Sequence, residues 1–210
     1  MSETAFDPKA HWEQVYQHRS PQEVSWYQSE PERSISLIQN SGFDRSVPLI
    51  DVGGGASVLV DRLLALGYEH LAVLDISGRA LAHAKQRLGK KAAAVDWFEA
   101  DVTRFQAPRP FALWHDRAVF HFLVREDQRQ QYREALCNSL AIGGQVIIAA
   151  FAIGGPTQCS GLDIVQYDAQ KLRETLGAAF QWLESQEEDH RTPAGKVQPF
   201  GYHRFRYLGA

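Results

Sequence analysis

The stretch that constrains this chain most is Leu49-Ile50-Asp51-Val52-Gly53-Gly54-Gly55-Ala56-Ser57. An apolar strand runs straight into three glycines, and a helical pattern begins directly afterwards. Open α/β sheets bind nucleotide-like ligands at the carboxyl end of such a first strand. There the backbone must pass close to its ligand, and glycine alone lacks the side chain that would keep it away. A tight strand-to-helix connection needs the same residue type. The meaning of the turn therefore rests on what ends the following strands.

Those strands alternate with helices. Val47 to Val52 reads as the first strand and Val58 to Leu66 as its helix, closed by a left-handed Gly67. Leu71 to Leu74 is a short, fully apolar second strand, as expected of one covered on both faces. It ends in Asp75-Ile76, and Ser77 stands where it can cap a helix running to Leu88. A third strand, Asp96 to Ala100, ends in Asp101-Val102, and a fourth, Phe111 to Trp114, ends in His115-Asp116-Arg117. An amphipathic helix from Glu126 to Ala141 leads into a fifth strand, Gln145 to Phe151. A Gly/Pro/Ser-rich loop follows from Ile153 to Tyr167, then a helix capped by Asp168. Two strands, Phe180 to His190 and Pro199 to Leu208, flank the turn Thr192-Pro193-Ala194-Gly195. A tight turn joins only antiparallel strands. The expected fold is thus α/β, a parallel sheet finished by an antiparallel pair. The 210 residues are predicted to make one domain. Its parts are an aromatic N-terminal segment (7–41), a ligand-binding core (47–151) and a closing region (152–210).

The strand ends carry the chemistry. Asp75 lies about twenty residues past the glycines, where a carboxylate can accept both hydroxyls of an adenosine ribose. Asp101 can accept from an adenine amino group while the Val102 backbone meets a ring nitrogen. Together these point to an adenosine-containing cofactor. A dinucleotide fingerprint, G-x-G-x-x-G, would need a glycine where Val58 stands. Tyr167 and Lys171 have the Tyr-x-x-x-Lys spacing of short-chain dehydrogenases, but that family's Thr-Gly-x-x-x-Gly opening is absent, and the pair reads as a helix start and an exposed charge.

Asp51-Val52-Gly53-Gly54-Gly55-Ala56-Ser57 resembles the first motif of the class I S-adenosylmethionine-dependent methyltransferases, with Ser57 in place of a last glycine. Asp75, Asp101-Val102 and the terminal hairpin fit the same pattern. The resemblance implies a Rossmann-like seven-stranded sheet of order 3-2-1-4-5-7-6, with strand 7 antiparallel and helices on both faces. It implies that Gly53, Gly54 and Gly55 hold the methionine and ribose portion of S-adenosylmethionine. Trp12, Tyr16 and Trp26, with Asp116-Arg117-Ala118-Val119-Phe120-His121, resemble a subgroup that includes the eukaryotic elongation-factor lysine methyltransferases. In that subgroup the aromatics line the cofactor pocket. Aromatic faces suit a sulfonium through cation–π attraction. Asp116 and Arg117 are expected at the cofactor, and His115 and His121 are candidate general bases beside the acceptor. No familiar metal-ligand spacing is present.

Composition narrows the partners. A net charge of −3 gives no support for nucleic acid. The longest apolar run, Val146 to Ile153, is too short to span a bilayer. Residues 1–8 lack an apolar leader core, and Cys137 and Cys159 fit no redox motif, so a cytosolic location is expected. The leading expectation is methyl transfer to a small-molecule acceptor. Protein lysine is the alternative acceptor; a dehydrogenase and a non-catalytic cofactor-binding module are the remaining readings.

Overall fold

The computed structural model describes residues 6–209, so the part of the leader reading that rests on residues 1–5 lies outside the described residues. Seven strands form one twisted sheet: β1 (Leu49–Val52), β2 (Leu71–Asp75), β3 (Val95–Glu99), β4 (Phe111–Arg117), β5 (Leu140–Phe151), β8 (Phe180–Arg191) and β9 (Val197–Tyr207). Their spatial order is β3-β2-β1-β4-β5-β9-β8. The first five run parallel, and β9 lies antiparallel between β5 and β8. This is the expected order and polarity. Two further short strands, β6 (Gln158–Cys159) and β7 (Leu162–Asp163), pair in a ribbon of their own.

Six helices cover the sheet: α1 (Pro8–His18), α2 (Glu32–Gln39), α3 (Leu59–Ala65), α4 (Gly78–Leu88), α5 (Glu126–Ser139) and α6 (Ala169–Leu176). Successive residues of a strand face opposite sides, which divides the core in two. Ile50, Leu74, Trp114 and Ile148 pack against Tyr132 and Leu136 of α5 and Leu172 of α6. Leu49, Val73, Leu113 and Ile147 pack against Leu37 of α2, Leu63 of α3 and Leu81 of α4. Each fully buried leucine contributes roughly 2 kcal/mol of transfer free energy. The helix ends follow the sequence. Ser77 Oγ accepts from the Ala80 amide at 3.1 Å, and Asp168 Oδ1 from the Lys171 amide at 2.8 Å. Gly67 takes a φ of +84° just past α3.

Three local expectations change. Strand β4 runs on to Arg117, so His115, Asp116 and Arg117 lie inside it and alternate between its faces. Val24-Ser25-Trp26-Tyr27, whose letters suggest an extended aromatic patch, lies in tight turns instead; Glu23 and Tyr27 donate their amides to the Ser20 and Val24 carbonyls. The loop after β5 contains the β6–β7 hairpin. Its turn residues Ser160 and Gly161 have φ of 52° and 78°, the left-handed pair of a type I′ turn.

Candidate functional site

A cavity of about 620 Å³ opens at the carboxyl ends of β1, β2, β3 and β4. That is within the range of small-molecule sites. The sheet puts Gly53, Asp75, Ile76, Asp101, Val102 and Arg117 on its wall, and α1 with the following segment adds Trp12, Tyr16 and Trp26. These residues are brought together as the sequence reading placed them.

The three glycines have separate reasons to be glycine. Gly53 has a φ of +68° and lines the cavity, and a Cβ there would run into Val119 Cγ2. At Gly54 a Cβ would strike the Asp51 carboxylate, and at Gly55 it would strike the carboxylate of Asp75. Gly54 and Gly55 thus let the turn settle onto two acids, and only Gly53 among the three faces the large cavity.

Those acids are buried, Asp51 at 4% and Asp75 at 8% exposure. Asp75 Oδ1 accepts from the Ser77 amide at 2.8 Å. Burial drives its carboxyl up to about 7, helped by the nearby negative charge of Asp51 and opposed by the Ser77 and Gly55 amides. Asp101 accepts from both the amide and hydroxyl of Thr103, at 2.9 and 2.8 Å, which caps the 3-10 turn Val102–Arg104 at the cavity edge.

Aromatic rings roof the cavity. Trp12 meets Trp26 edge-on at 5.6 Å and Phe122 at 5.1 Å, and Trp26 donates its indole N–H to the Tyr16 hydroxyl at 3.3 Å. The roof is fastened on both sides. On one, Lys9 pairs with Glu99 and Glu13 with Arg79. On the other, Arg117 donates to the Trp26 carbonyl at 2.9 Å, His190 donates to the Ser25 carbonyl at 2.7 Å, and Gln28 bonds to Glu188. Arg117 also donates to the Tyr202 hydroxyl at 2.8 Å and lies 4.4 Å over the Phe200 ring. Its position is over-determined by these contacts.

The remaining candidates face elsewhere. Asp116 is fully buried on the opposite face of β4 from Arg117. It accepts from the Val119 and Phe120 amides and, at 2.7 Å, from the Tyr132 hydroxyl. Burial holds its carboxyl up at about 6. The structure therefore gives Asp116 a local role, holding the turn after β4. His115 is engaged at both ring nitrogens, by Asp51 and Ser34. His121 is wholly buried between Phe122 and Phe151, neither ring nitrogen has a partner among the described residues, and burial lowers its pKa to about 3. Neither imidazole is on the wall of the large cavity. Tyr167 is buried in the core, its hydroxyl pushed up to about 12 by burial, and Lys171 donates to the Gln166 carbonyl.

The wall also includes residues the sequence reading did not single out. Ala118, Val119, Phe122, Leu123, Cys159 and Leu162 complete it. Phe122 ends the 3-10 turn Phe120–Phe122 and Leu123 caps it; the strand-end acid Asp116, which accepts from the Val119 and Phe120 amides, was the available cue. Cys159 and Leu162 come from the β6–β7 hairpin, whose Ser160-Gly161 turn was the available cue. Burial raises the Cys159 thiol to about 11, so it is a wall residue rather than a nucleophile.

The expected cofactor fits this cavity on the structure's own terms. Two buried carboxylates flank the turn, and neither is paired to a lysine or arginine among the described residues. Asp75 lies on the cavity wall, where ribose hydroxyls can answer it, whereas Asp51 is held by His115 behind the turn. No helix among the described residues is long and apolar enough to cross a membrane.

Comparison with known proteins agrees. Residues 49–144 match a family model described as a methyltransferase domain. The chain is similar to the eEF1A lysine and N-terminal methyltransferase of Mus musculus, 22% identical over 162 residues, which cover 77% of this chain and 22% of that protein. The chain thus spans about a fifth of that relative's length. Among solved structures, the fold is similar to a SAM-dependent methyltransferase from Anabaena variabilis (TM-score 0.73, 17% identity, covering 99% of this chain and 98% of that one). It is also similar to the N-methyltransferase NodS from Bradyrhizobium japonicum in complex with S-adenosyl-L-homocysteine (TM-score 0.70, 20% identity, covering 96% and 99%).

Proposed function

We propose, from a chain whose residues 49–144 match a methyltransferase-domain family, that this protein transfers a methyl group from S-adenosylmethionine to a small-molecule acceptor by in-line displacement. S-adenosylmethionine, when bound, supplies a methyl group already activated by its sulfonium. The chain's own residues have to hold, orient and enclose. Asp75 accepts the ribose hydroxyls, Asp101 with the Val102 amide meets the adenine, and bare Gly53 lets the ligand lie against the turn. Arg117 offers a guanidinium to the methionine carboxylate. Trp12, Tyr16 and Trp26 present ring faces and edges to the sulfonium end. Such attraction is worth on the order of 0.5–2 kcal/mol.

The observation that carries the small-molecule reading is the fastened roof. Lys9 is tied to β3, Glu13 to α4, Trp26 to β4, and Ser25 and Gln28 to β8. An acceptor then has the space bounded by Phe122, Cys159 and Leu162. A folded protein substrate would need that roof displaced. Catalysis in this arrangement is by alignment, which can supply most of the rate in such a displacement. His121, with its low proton affinity and closed surroundings, is not placed to act as a base, and the acceptor arrives as a free nucleophile or loses its proton to solvent. A lysine side chain on a protein is the second reading, favoured by the similarity to a lysine methyltransferase. Transfer of labelled methyl into a host extract, separated by size, tests the two. Label in the small-molecule fraction is the expected result; label confined to protein bands overturns it.

A further inference from the structure

Behind the glycine turn lies a second, smaller cavity of about 50 Å³, walled in part by Ser34, Asp51, Gly54, His115 and Arg117. Inside it, side chains from three elements form one line of hydrogen bonds. His115 Nδ1 is 2.7 Å from Asp51 Oδ1, and His115 Nε2 is 2.9 Å from Ser34 Oγ. Ser34 belongs to α2, Asp51 to β1 and His115 to β4, and all three are buried. Asp51 and His115 are direct register partners on adjacent strands, so their side chains leave the same face of the sheet.

One of the two bonds has a fixed direction. A carboxylate only accepts, so Nδ1 carries a proton toward Asp51, and Nε2 and the Ser34 hydroxyl share the second bond. A histidine whose far nitrogen is engaged has its tautomer and ring orientation set by that partner. Ser34 thereby fixes how His115 meets Asp51. Asp51 in turn lies directly under Gly54, where a Cβ would strike its Oδ2. The orientation of the carboxylate and the path of the turn are one arrangement.

We propose that Ser34 and His115 are positioning residues for the cofactor turn: they hold Asp51 against it, and through Ser34 they make the placement of α2 part of the cofactor site. This rests on the cofactor reading above. A turn already held in one path by the carboxylate beneath it meets its ligand without having to reorganise. Helix α2 follows the roof segment directly, so roof and floor of the site meet at this relay.

The test uses S-adenosylhomocysteine binding, measured by calorimetry, on the whole chain. An asparagine amide stands near the Nδ1 position and a glutamine amide near Nε2. His115→Asn is expected to stay within about threefold of wild type, His115→Gln to weaken binding by about tenfold or more, and Ser34→Ala by a few-fold. Nitrogen-15 spectra of the His115 ring should show the Nδ1–H tautomer. Amide exchange in α2 should slow on binding in wild type and much less in Ser34→Ala. Equal binding by His115→Asn and His115→Gln, unchanged binding in Ser34→Ala, or an Nε2–H tautomer overturns the proposal. Ser34→Ala removes one oxygen and keeps the test available if a His115 variant does not fold. Wild type that takes up no S-adenosylhomocysteine overturns the cofactor reading and the relay's role with it. Wild-type binding alongside unchanged binding in Ser34→Ala and His115→Gln overturns the relay alone.

Discussion

Burial holds the Asp75 carboxyl near neutrality, at about 7, with Asp51 adding to the effect. Ribose hydroxyls donate to the ionised form, so binding competes with a proton. Affinity for S-adenosylhomocysteine is expected to fall about tenfold between pH 8 and pH 6, as a group with a pKa near 7 takes up its proton. Calorimetry across that range checks it, and Asp75→Asn should bind weakly and lose the pH dependence. In the ligand-free protein the trend is opposite. The stability Asp75 contributes is fully present below its unfolded value of 3.8 and is lost as pH rises through about 7. His115 and His121 show where residue-level reading of a sequence stops. Both stand near the end of β4, and nothing in the order of letters says that one is spoken for by Ser34, more than eighty positions away, and that the other is sealed between phenylalanines.

At the scale of elements, the decisive piece is β4 and the turn that leaves it. Ala118 sits there with a φ of 68°, a conformation that a Cβ makes unfavourable by about 1–2 kcal/mol. It lines the cavity beside Gly53, whose place against Val119 leaves no room for a side chain. Ala118→Gly is therefore expected to raise unfolding stability by about 1 kcal/mol, read as a higher denaturant midpoint with an unchanged slope. Gly53→Val would disturb the ligand's seat. In the structure a valine there also has to displace Val119 and adopt an unfavourable φ, so Asp75→Asn is the cleaner probe. The strand ends were legible because Asp75, Asp101 and the Thr192-to-Gly195 turn each mark one by local chemistry, while the sheet order came from the resemblance that the glycine motif carries. The extension of β4 to Arg117 was not, since His115-Asp116-Arg117 lacks the apolar run that marks a buried strand.

Across the whole molecule, the two ends of the chain are stitched together over the site. Glu188 on β8 accepts from Gln28 and from the Tyr202 hydroxyl, which itself accepts from Arg117. Glu188→Ala should release Gln28 and loosen the roof. Faster amide exchange across residues 24–28 and roughly threefold to tenfold weaker S-adenosylhomocysteine binding are expected, corresponding to about 1 kcal/mol for the lost bonds. Unaltered exchange there would show that the roof is held by its aromatic packing alone. These long-range ties were illegible in the sequence, because nothing local links Gln28 to a glutamate 160 positions on. The aromatic residues of the roof were legible; what fastens them was not.

The stitching has a consequence for how the protein is made. Ser25, Trp26 and Gln28 leave the ribosome some 160 residues before two of the groups that hold this segment, His190 and Glu188 on β8. The glycine turn, its acids and the ties to Glu99, Arg79 and Arg117 can assemble first, but Ser25 and Gln28 have no partner until β8 emerges. A nascent chain would therefore display an open, aromatic-lined cleft. Full closure over the cofactor then waits for β8 rather than following the folding of the first five strands.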